Sequence, residues 1–271
     1  MKRLFGILSL GVLALSLCTG ASWLFLGTNG PTSYPVGTHS LYLDNSATQY
    51  LNGGNIFAKE ASTDAFSFAY WARVESVSAF RTIFSKTTAG SNVGYRCFFP
   101  NSGNILQFQM VSSTGGNLVR NSVASVSAAT WYHVVTTKSA GVAATTLTHY
   151  INGAATTTTN LDTLTTGSTV TSDNFNLGRN TTGSNLYFYG YVFDMALYNV
   201  ELTSGEVGDL YNSGTPDDVR NMSWYDAGEV FAYWKFGDGT GDTYSTIYDQ
   251  VNSNNLTGVN TTSGSIVSLA P

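Results

Sequence analysis

The chain predicts an all-β fold, a sandwich of two antiparallel sheets, and three observations carry that expectation. Runs in which apolar and polar residues alternate recur about every ten residues, punctuated by Gly and Asn turns. Helix signals are scarce, the one convincing case being Ser204 to Tyr211. Aromatic residues make up 13% of the chain against 11% charged, which supplies large side chains for a core and leaves a surface of Ser, Thr, Asn and Gly. A strand that buries one face must share it with a second sheet, so strands in this number call for a sandwich.

The N-terminus comes first. Lys2-Arg3 followed by 23 uncharged residues, Leu4 to Leu26, has the basic start and apolar run of a secretion signal. Thr19-Gly20-Ala21 offers small residues to a signal peptidase, with a mature start near Ser22. An uncleaved anchor is the alternative reading of residues 1–26, because 23 apolar residues are enough to span a bilayer; a lipid anchor at Cys18 is disfavoured by Leu17 before it. Residues 27–37 read as a linker rich in Gly, Pro and Thr. A domain over residues 38–215 and a C-terminal extension over 216–271 complete the expected organisation.

Within the domain, Leu41 and Leu43 alternate with polar residues in an opening strand that turns at Asp44-Asn45. The run AFSFAYWARV puts Phe66, Phe68 and Tyr70 on one face and Trp71 with Arg73 on the other. TIFSK, GYRCFF and ILQFQM follow as strands. Cys97 has no partner once Cys18 is removed, and it shares its strand face with Tyr95 and Phe99, which points to a buried thiol rather than a nucleophile. Next come WYHVVTTK, LTHYINGA with its Asn-Gly turn, NFNLGR, and the long GYVFDMALYNVELTSGEVGDLYN. In the last block Thr203 or Ser204 caps a short helix, Glu206 reaches back to the cap amide, and Val207 and Leu210 face inward.

Those four blocks between Trp131 and Asn212, in that order and spacing, resemble the laminin-G-like and pentraxin-like branch of the concanavalin A-like lectin/glucanase jelly rolls. The resemblance covers residues 38 to 214 and implies a concanavalin-like jelly roll. The C-terminal run EVFAYWKFGDGTGDTYSTIYDQVNSNNLTGVN is similar to a segment that in many such proteins precedes the jelly roll, whereas here it follows. It is expected either to complete a sheet within its own chain or to be donated to a neighbouring subunit, locking a homo-oligomer. This arrangement, with the terminus SGSIVSLAP, is similar to laminin-G-like structural proteins of marine tailed phages. Asp194 matches a family position at the start of the helix-feeding segment, where the resemblance implies that it fastens the turn.

Charge narrows the function. The net charge is -5, and eleven of the seventeen carboxylates lie between Asp194 and Asp249, opposed there only by Arg220 and Lys235. No basic face for nucleic acid follows from such a pattern. A retaining glycosidase needs two carboxylates about 5 Å apart, and the ExDxxE pattern that supplies them in glucanases of this fold is missing. His39, His133 and His149 are isolated from one another, which leaves neither a triad nor a metal-ligand spacing; His133 and His149 sit in strands and read as packed. In pentraxins the loop after the Gly-ended strand carries acidic calcium ligands, but here Gly178 to Asn185 contains Arg179 and no acid, so that calcium site is not carried over.

Other oxygen donors remain as candidate metal ligands, namely Asp44 with Asn45, Asp173 with Asn174, and Asp238 and Asp242 in the GDGTGD turn, each read first as a turn residue bonded to its own backbone. No cofactor is required. Glycan binding without metal is the sharper expectation, since sugars stack on aromatic rings while amides and hydroxyls meet their oxygens. Its candidates are Tyr95, Asn180, Asn185, Tyr187 and Tyr189. The expected protein is a non-enzymatic module, extracellular or at a cell surface, or else on a virion, that serves adhesion, glycan or host recognition, or decoration. The competing class is purely structural, with subunit contacts and no ligand, and a glycan-active enzyme is third. Partners would be a cell-surface glycan or another surface or virion protein, with membrane contact only through residues 1–26.

Overall fold

Seventeen strands arranged as two antiparallel sheets, with a single α-helix among the described residues, make up the computed structural model of the chain. It describes residues 33–100, 104–181 and 186–271. The expected signal or anchor at 1–26, and residues 27–32 of the linker, lie outside them. Among the described residues no helix is long and apolar enough to cross a membrane.

In chain order the strands are β1 Ser40–Leu43, β2 Tyr50–Gly54, β3 Phe66–Val74, β4 Arg81–Thr87, β5 Gly94–Phe99, β6 Ile105–Val111, β7 Asn117–Ser125, β8 Trp131–Lys138, β9 Leu147–Ile151, β10 Ala154–Ala155, β11 Thr158–Asp162, β12 Phe175–Leu177, β13 Gly190–Tyr198, β14 Val230–Trp234, β15 Thr246–Ile247, β16 Leu256–Val259 and β17 Ile266–Val267. The helix α1 spans Ser204–Tyr211. One sheet has eight strands in the order β10-β9-β8-β3-β13-β1-β17, with β14 also paired to β13; the other has nine, in the order β11-β7-β6-β5-β4-β12-β2-β16-β15. Residues 34–271 form one compact unit.

Alternation builds the core between the sheets. Phe66, Phe68 and Tyr70 of β3 point inward against Phe84, Tyr95 and Phe108 of the facing sheet, and the Phe68 and Phe84 rings stack 4.5 Å apart. Cys97 is buried there, with its sulfur 3.3 Å from the Tyr70 hydroxyl. A second cluster forms outside the eight-stranded sheet, where α1 lays Val207 and Leu210 on Ala69, Ala196 and Tyr198. The helix starts with the expected capping box, Thr203 accepting from the Glu206 amide and Glu206 from the Thr203 amide. Trp71, expected on an outward face, is buried because His133 and Tyr211 cover it, at ring distances of 5.0 and 6.1 Å. His133 and His149 are core residues, and burial pushes their pKa values down to about 3 and about 4.

The C-terminal residues supply strands to both sheets of their own chain. β14 pairs with β13, β16 pairs with β2 and β17 pairs with β1. Along β13 the neighbour changes, since Gly190 to Val192 pair with β1 and Met195 to Tyr198 with β14. Asp194 sits at the changeover in a left-handed conformation (φ 41) at a register shift, which lets one strand serve two neighbours. Its carboxylate takes the Tyr233 hydroxyl of β14 at 3.0 Å, so Asp194 fastens the C-terminal strand rather than the turn that the resemblance implied.

Candidate functional site

Strand register on the outer face of the nine-stranded sheet assembles a row of polar side chains. Leu51, Phe175, Leu177 and Leu256 point into the core, so their neighbours Asn52, Asn176 and Thr257 must point out. Thr257 lies opposite Asn52, Asn52 opposite Asn176, and Asn176 opposite Ser85; Thr246 of β15 extends the row beside Thr257. Five strands thus place Thr246, Thr257, Asn52, Asn176 and Ser85 side by side, over about 19 Å at ordinary strand spacing.

A cleft of about 460 Å³ opens over the middle of this row, lined among others by Tyr50, Asn52, Asp173, Asn174, Asn176 and Arg179. One wall is aromatic: the Tyr50 ring is half-buried, the Arg179 guanidinium lies 4.4 Å from its centroid, and the Tyr187 ring stands 6.3 Å away. Amides make up much of the remaining lining. Asn52 accepts the Gly54 amide through Oδ1 at 2.8 Å, and Asn176 donates Nδ2 to the Asn174 carbonyl at 3.0 Å. A second cleft, about 420 Å³, shares Asn52 and Asn174 with the first and continues over Thr257, Val259 and Asn255.

Asp173 is the one carboxylate among the described residues that line the first cleft. Hydroxyls of Thr171 and Thr88 donate to its Oδ2 at 2.5 and 2.7 Å, and these bonds hold its pKa below the usual carboxylate range, with the nearby Lys86 adding to the effect. Lys86 itself is buried beneath the cleft, where its ammonium donates to Asn55 Oδ1 at 2.6 Å and to the Asp173 carbonyl, and burial lowers its pKa to about 8. The result is an ionised, well-anchored acceptor beside three amides and a ring. Such a set can bind hydroxyl groups and stack an apolar face.

The residues expected from sequence are distributed unevenly around this site. Asp173 lines it and Tyr187 stands behind Tyr50. Tyr95 is corrected, since its ring is in the core and its hydroxyl donates to the Phe57 carbonyl at 2.9 Å, leaving no face for a ligand. Asn180 is buried, accepts the Thr87 hydroxyl at 3.0 Å and so supports the loop rather than lining the cleft. Asn185 lies outside the described residues. Tyr189 is on the other sheet's side, 6.3 Å from the Tyr42 ring, which separates it from Tyr187.

The remaining candidate metal ligands are committed to backbone amides, Asp44 and Asp242 within their own turns and Asp238, contrary to the expected local turn, across to the residues ahead of β1. Asp44 Oδ1 accepts the Ser46 amide and hydroxyl, both at 2.8 Å, and the Asn45 carbonyl closes the same turn. Asp238 accepts the Thr38 and His39 amides at 2.7 and 2.6 Å, and Asp242 accepts from Gly237, Gly239 and Tyr248. Among the described residues no group of three His, Cys, Asp or Glu side chains is placed to hold a metal ion. Sequence reasoning named Asn174 only beside Asp173 as a possible metal ligand and missed Tyr50, Asn52, Asn176 and Thr257; the available signal was the polar position beside buried neighbours in QYLNG, NFNL and NLTGV.

Residues 37–208 match a family model described as the concanavalin A-like lectin/glucanases superfamily, well over half of the chain. The chain belongs to that superfamily. Among solved structures this superfamily member is similar to a Bacteroides ovatus protein proposed to bind carbohydrate, with 18% identity and a TM-score of 0.56 over 88% of this chain and 61% of that one. It therefore spans less than two thirds of that neighbour. It is also similar to a heptameric SAP-like pentraxin from Limulus polyphemus, with 14% identity and a TM-score of 0.47 over 65% of this chain and 82% of the pentraxin. No curated protein matches the chain. At these identities the likeness is one of fold.

Proposed function

We propose that this superfamily member is a non-enzymatic carbohydrate-binding module and that the cleft over β12 and β2 is its site. The observation that carries the reading is the pairing of the Tyr50 ring, braced by Arg179, with a wall of Asn52, Asn174 and Asn176 and the carboxylate of Asp173. A pyranose has an apolar face that stacks on an aromatic ring and a rim of hydroxyls that amides and a carboxylate can match. The superfamily's name covers sugar binders and sugar cleavers alike, and the lining supports the first reading. Cleavage by a carboxylate pair needs a second acid about 5 to 9 Å from the first, whereas Asp173 is the lone acid lining the cleft among the described residues and is held ionised by two threonines. On this reading residues 1–26 deliver or tether the module outside the cell, where it serves adhesion, recognition or decoration at a surface.

Glycan-array screening followed by calorimetry tests the proposal. Tyr50→Ala and Asn174→Ala should each weaken binding at least about tenfold, the loss of about 1.4 kcal/mol expected when one stacking or hydrogen-bonding partner goes, without changing thermal stability. Absence of binding to any glycan, with or without calcium, overturns it, as does wild-type affinity in Tyr50→Ala.

A further inference from the structure

Resting on the carbohydrate reading of the cleft, we infer that the C-terminal extension builds a second sugar subsite, so that the ligand is a neutral oligosaccharide chain of at least two units and Thr257 is a specificity-determining residue. The second cleft is not a separate pocket. It shares Asn52 and Asn174 with the first, and the register Thr257–Asn52–Asn176 lines up the polar side chains of both along one direction, across the strands. Successive positions in that row are about 4.8 Å apart, close to the advance of a sugar chain by one ring. A ligand seated on Tyr50 and Asn176 therefore has its next unit over Asn52, Gly54 and Thr257.

The floor there is open. A side chain at Gly54 would meet nothing within 4 Å, and Thr257 is exposed, without a hydrogen-bond partner for its hydroxyl among the described residues. Val259 and the Gly53-Gly54 backbone add a low apolar surface beside these polar groups. The lining residues Asn52, Gly53, Gly54, Asn174, Asn255, Thr257 and Val259 carry no charge, so an uncharged unit fits and a carboxylated or sulfated one finds no counter-ion. Thr257 and Val259 belong to β16, beyond the residues 37–208 that match the family. Length selectivity is thus a property added by this chain's extension to a shared scaffold.

Calorimetric titration of the full chain with gluco-, manno- and galacto-oligosaccharides of one to six units tests the inference, alongside Thr257→Ala, which removes the hydroxyl, and Thr257→Lys, which fills the cleft. The wild type should bind the dimer or trimer of its preferred sugar at least about tenfold more tightly than the monomer. Thr257→Lys should reduce that gain to threefold or less while leaving the monomer affinity within twofold, with Thr257→Ala in between; melting temperatures of the variants guard against misfolding. Equal affinity for monomer and oligomer, or an undiminished gain in Thr257→Lys, overturns the second subsite and leaves the first intact. Failure of every length to bind overturns both readings.

Discussion

Replacing Asp194 by Asn should remove a contribution to stability that fades as pH rises from 6.5 to 8. Asp194 is buried, its Oδ2 accepts the Tyr233 hydroxyl and its Oδ1 has no partner, so burial pushes its pKa up to about 8 against the opposing pull of Lys235. The folded chain therefore holds a proton that the unfolded chain releases near pH 4, and stability declines as pH rises between those values, by about 1.4 kcal/mol per pH unit. His133 and His149 act in the opposite direction. Their folded pKa values of about 3 and about 4 mean that the unfolded chain binds protons the folded one refuses, so stability rises with pH until it passes the free histidine value near 6.5. Lys86 and Lys138, pushed down to about 8 by burial, begin to favour the folded state as pH nears 8, so the Asp194 effect is read as the difference between wild type and variant, which should fall by about 1.6 kcal/mol from pH 6.5 to pH 8, about 3 to 6 °C in melting temperature for a domain of this size. Asparagine keeps an acceptor for Tyr233, tolerates the left-handed backbone at φ 41 and carries no proton to lose. Urea denaturation followed by tryptophan fluorescence at pH 6.5, 7.2 and 8 reads the difference. A difference between wild type and variant that stays constant over this range would refute the placement of Asp194 as a buried, under-bonded acid.

Two further outcomes probe the C-terminal extension and the acidic stretch. Trp234→Ala removes a fully buried ring that stacks on Phe175 at 6.0 Å and donates its indole N–H to the Asn254 carbonyl at 2.8 Å; it should cost about 3 to 5 kcal/mol in urea denaturation, and a cost below about 1 kcal/mol would show that β14 is dispensable. Exchange of calcium for a chelator should shift the melting temperature by no more than about 1 °C, because a bound ion would stabilise by its mass-action term and the oxygens of Asp238, Asp242 and Asp44 already accept backbone donors; a drop of several degrees on chelation would reveal a site.

How far the sequence can be read depends on whether a feature is local. Most strands between Phe66 and Tyr198, though not β7, β10 or β11, declare themselves through local pattern, and α1 through Thr203 and Glu206, because those signals lie within a few residues of one another. The same alternation places Tyr95 on the face of Cys97, so its position in the core was already legible in GYRCFF. Strand β7 was harder, since Asn117, Arg120, Asn121 and Ser122 break its apolar pattern while long-range pairing with β6 and β11 holds it in place. Of the site, the turn around Asp173 and the aromatic run at Tyr187 stand out in sequence. Asn52, Asn176 and Thr257 do not, because each is an ordinary polar residue in its own strand and only the pairing of strands more than a hundred residues apart makes them neighbours.

The extension's carboxylates explain how such a non-local site is held. Asp238 grips Thr38 and His39, Lys235 donates to the Pro35 carbonyl while paired with Asp218 at 2.8 Å, and Arg220 packs over Tyr34 at 3.7 Å while bridging the same Asp218. Asp249 in turn takes the amides of Tyr233, Val251 and Asn254 and shapes the loop that leads into β16. The acid-rich stretch is therefore bound to the residues ahead of β1 and to its own loops, which secures β17 beside β1 and β16 beside β2. Since β16 carries Thr257, a chain of buried and half-buried ion pairs beside one sheet helps set the position of an uncharged row on the other, exposed at Thr257 and buried at Asn176 and Ser85. Breaking a buried pair costs more than losing a surface one, so the acids concentrated near the C-terminus act as fasteners of the scaffold, and the proposed recognition falls instead to the amides, the hydroxyls and the Asp173 carboxylate around Tyr50.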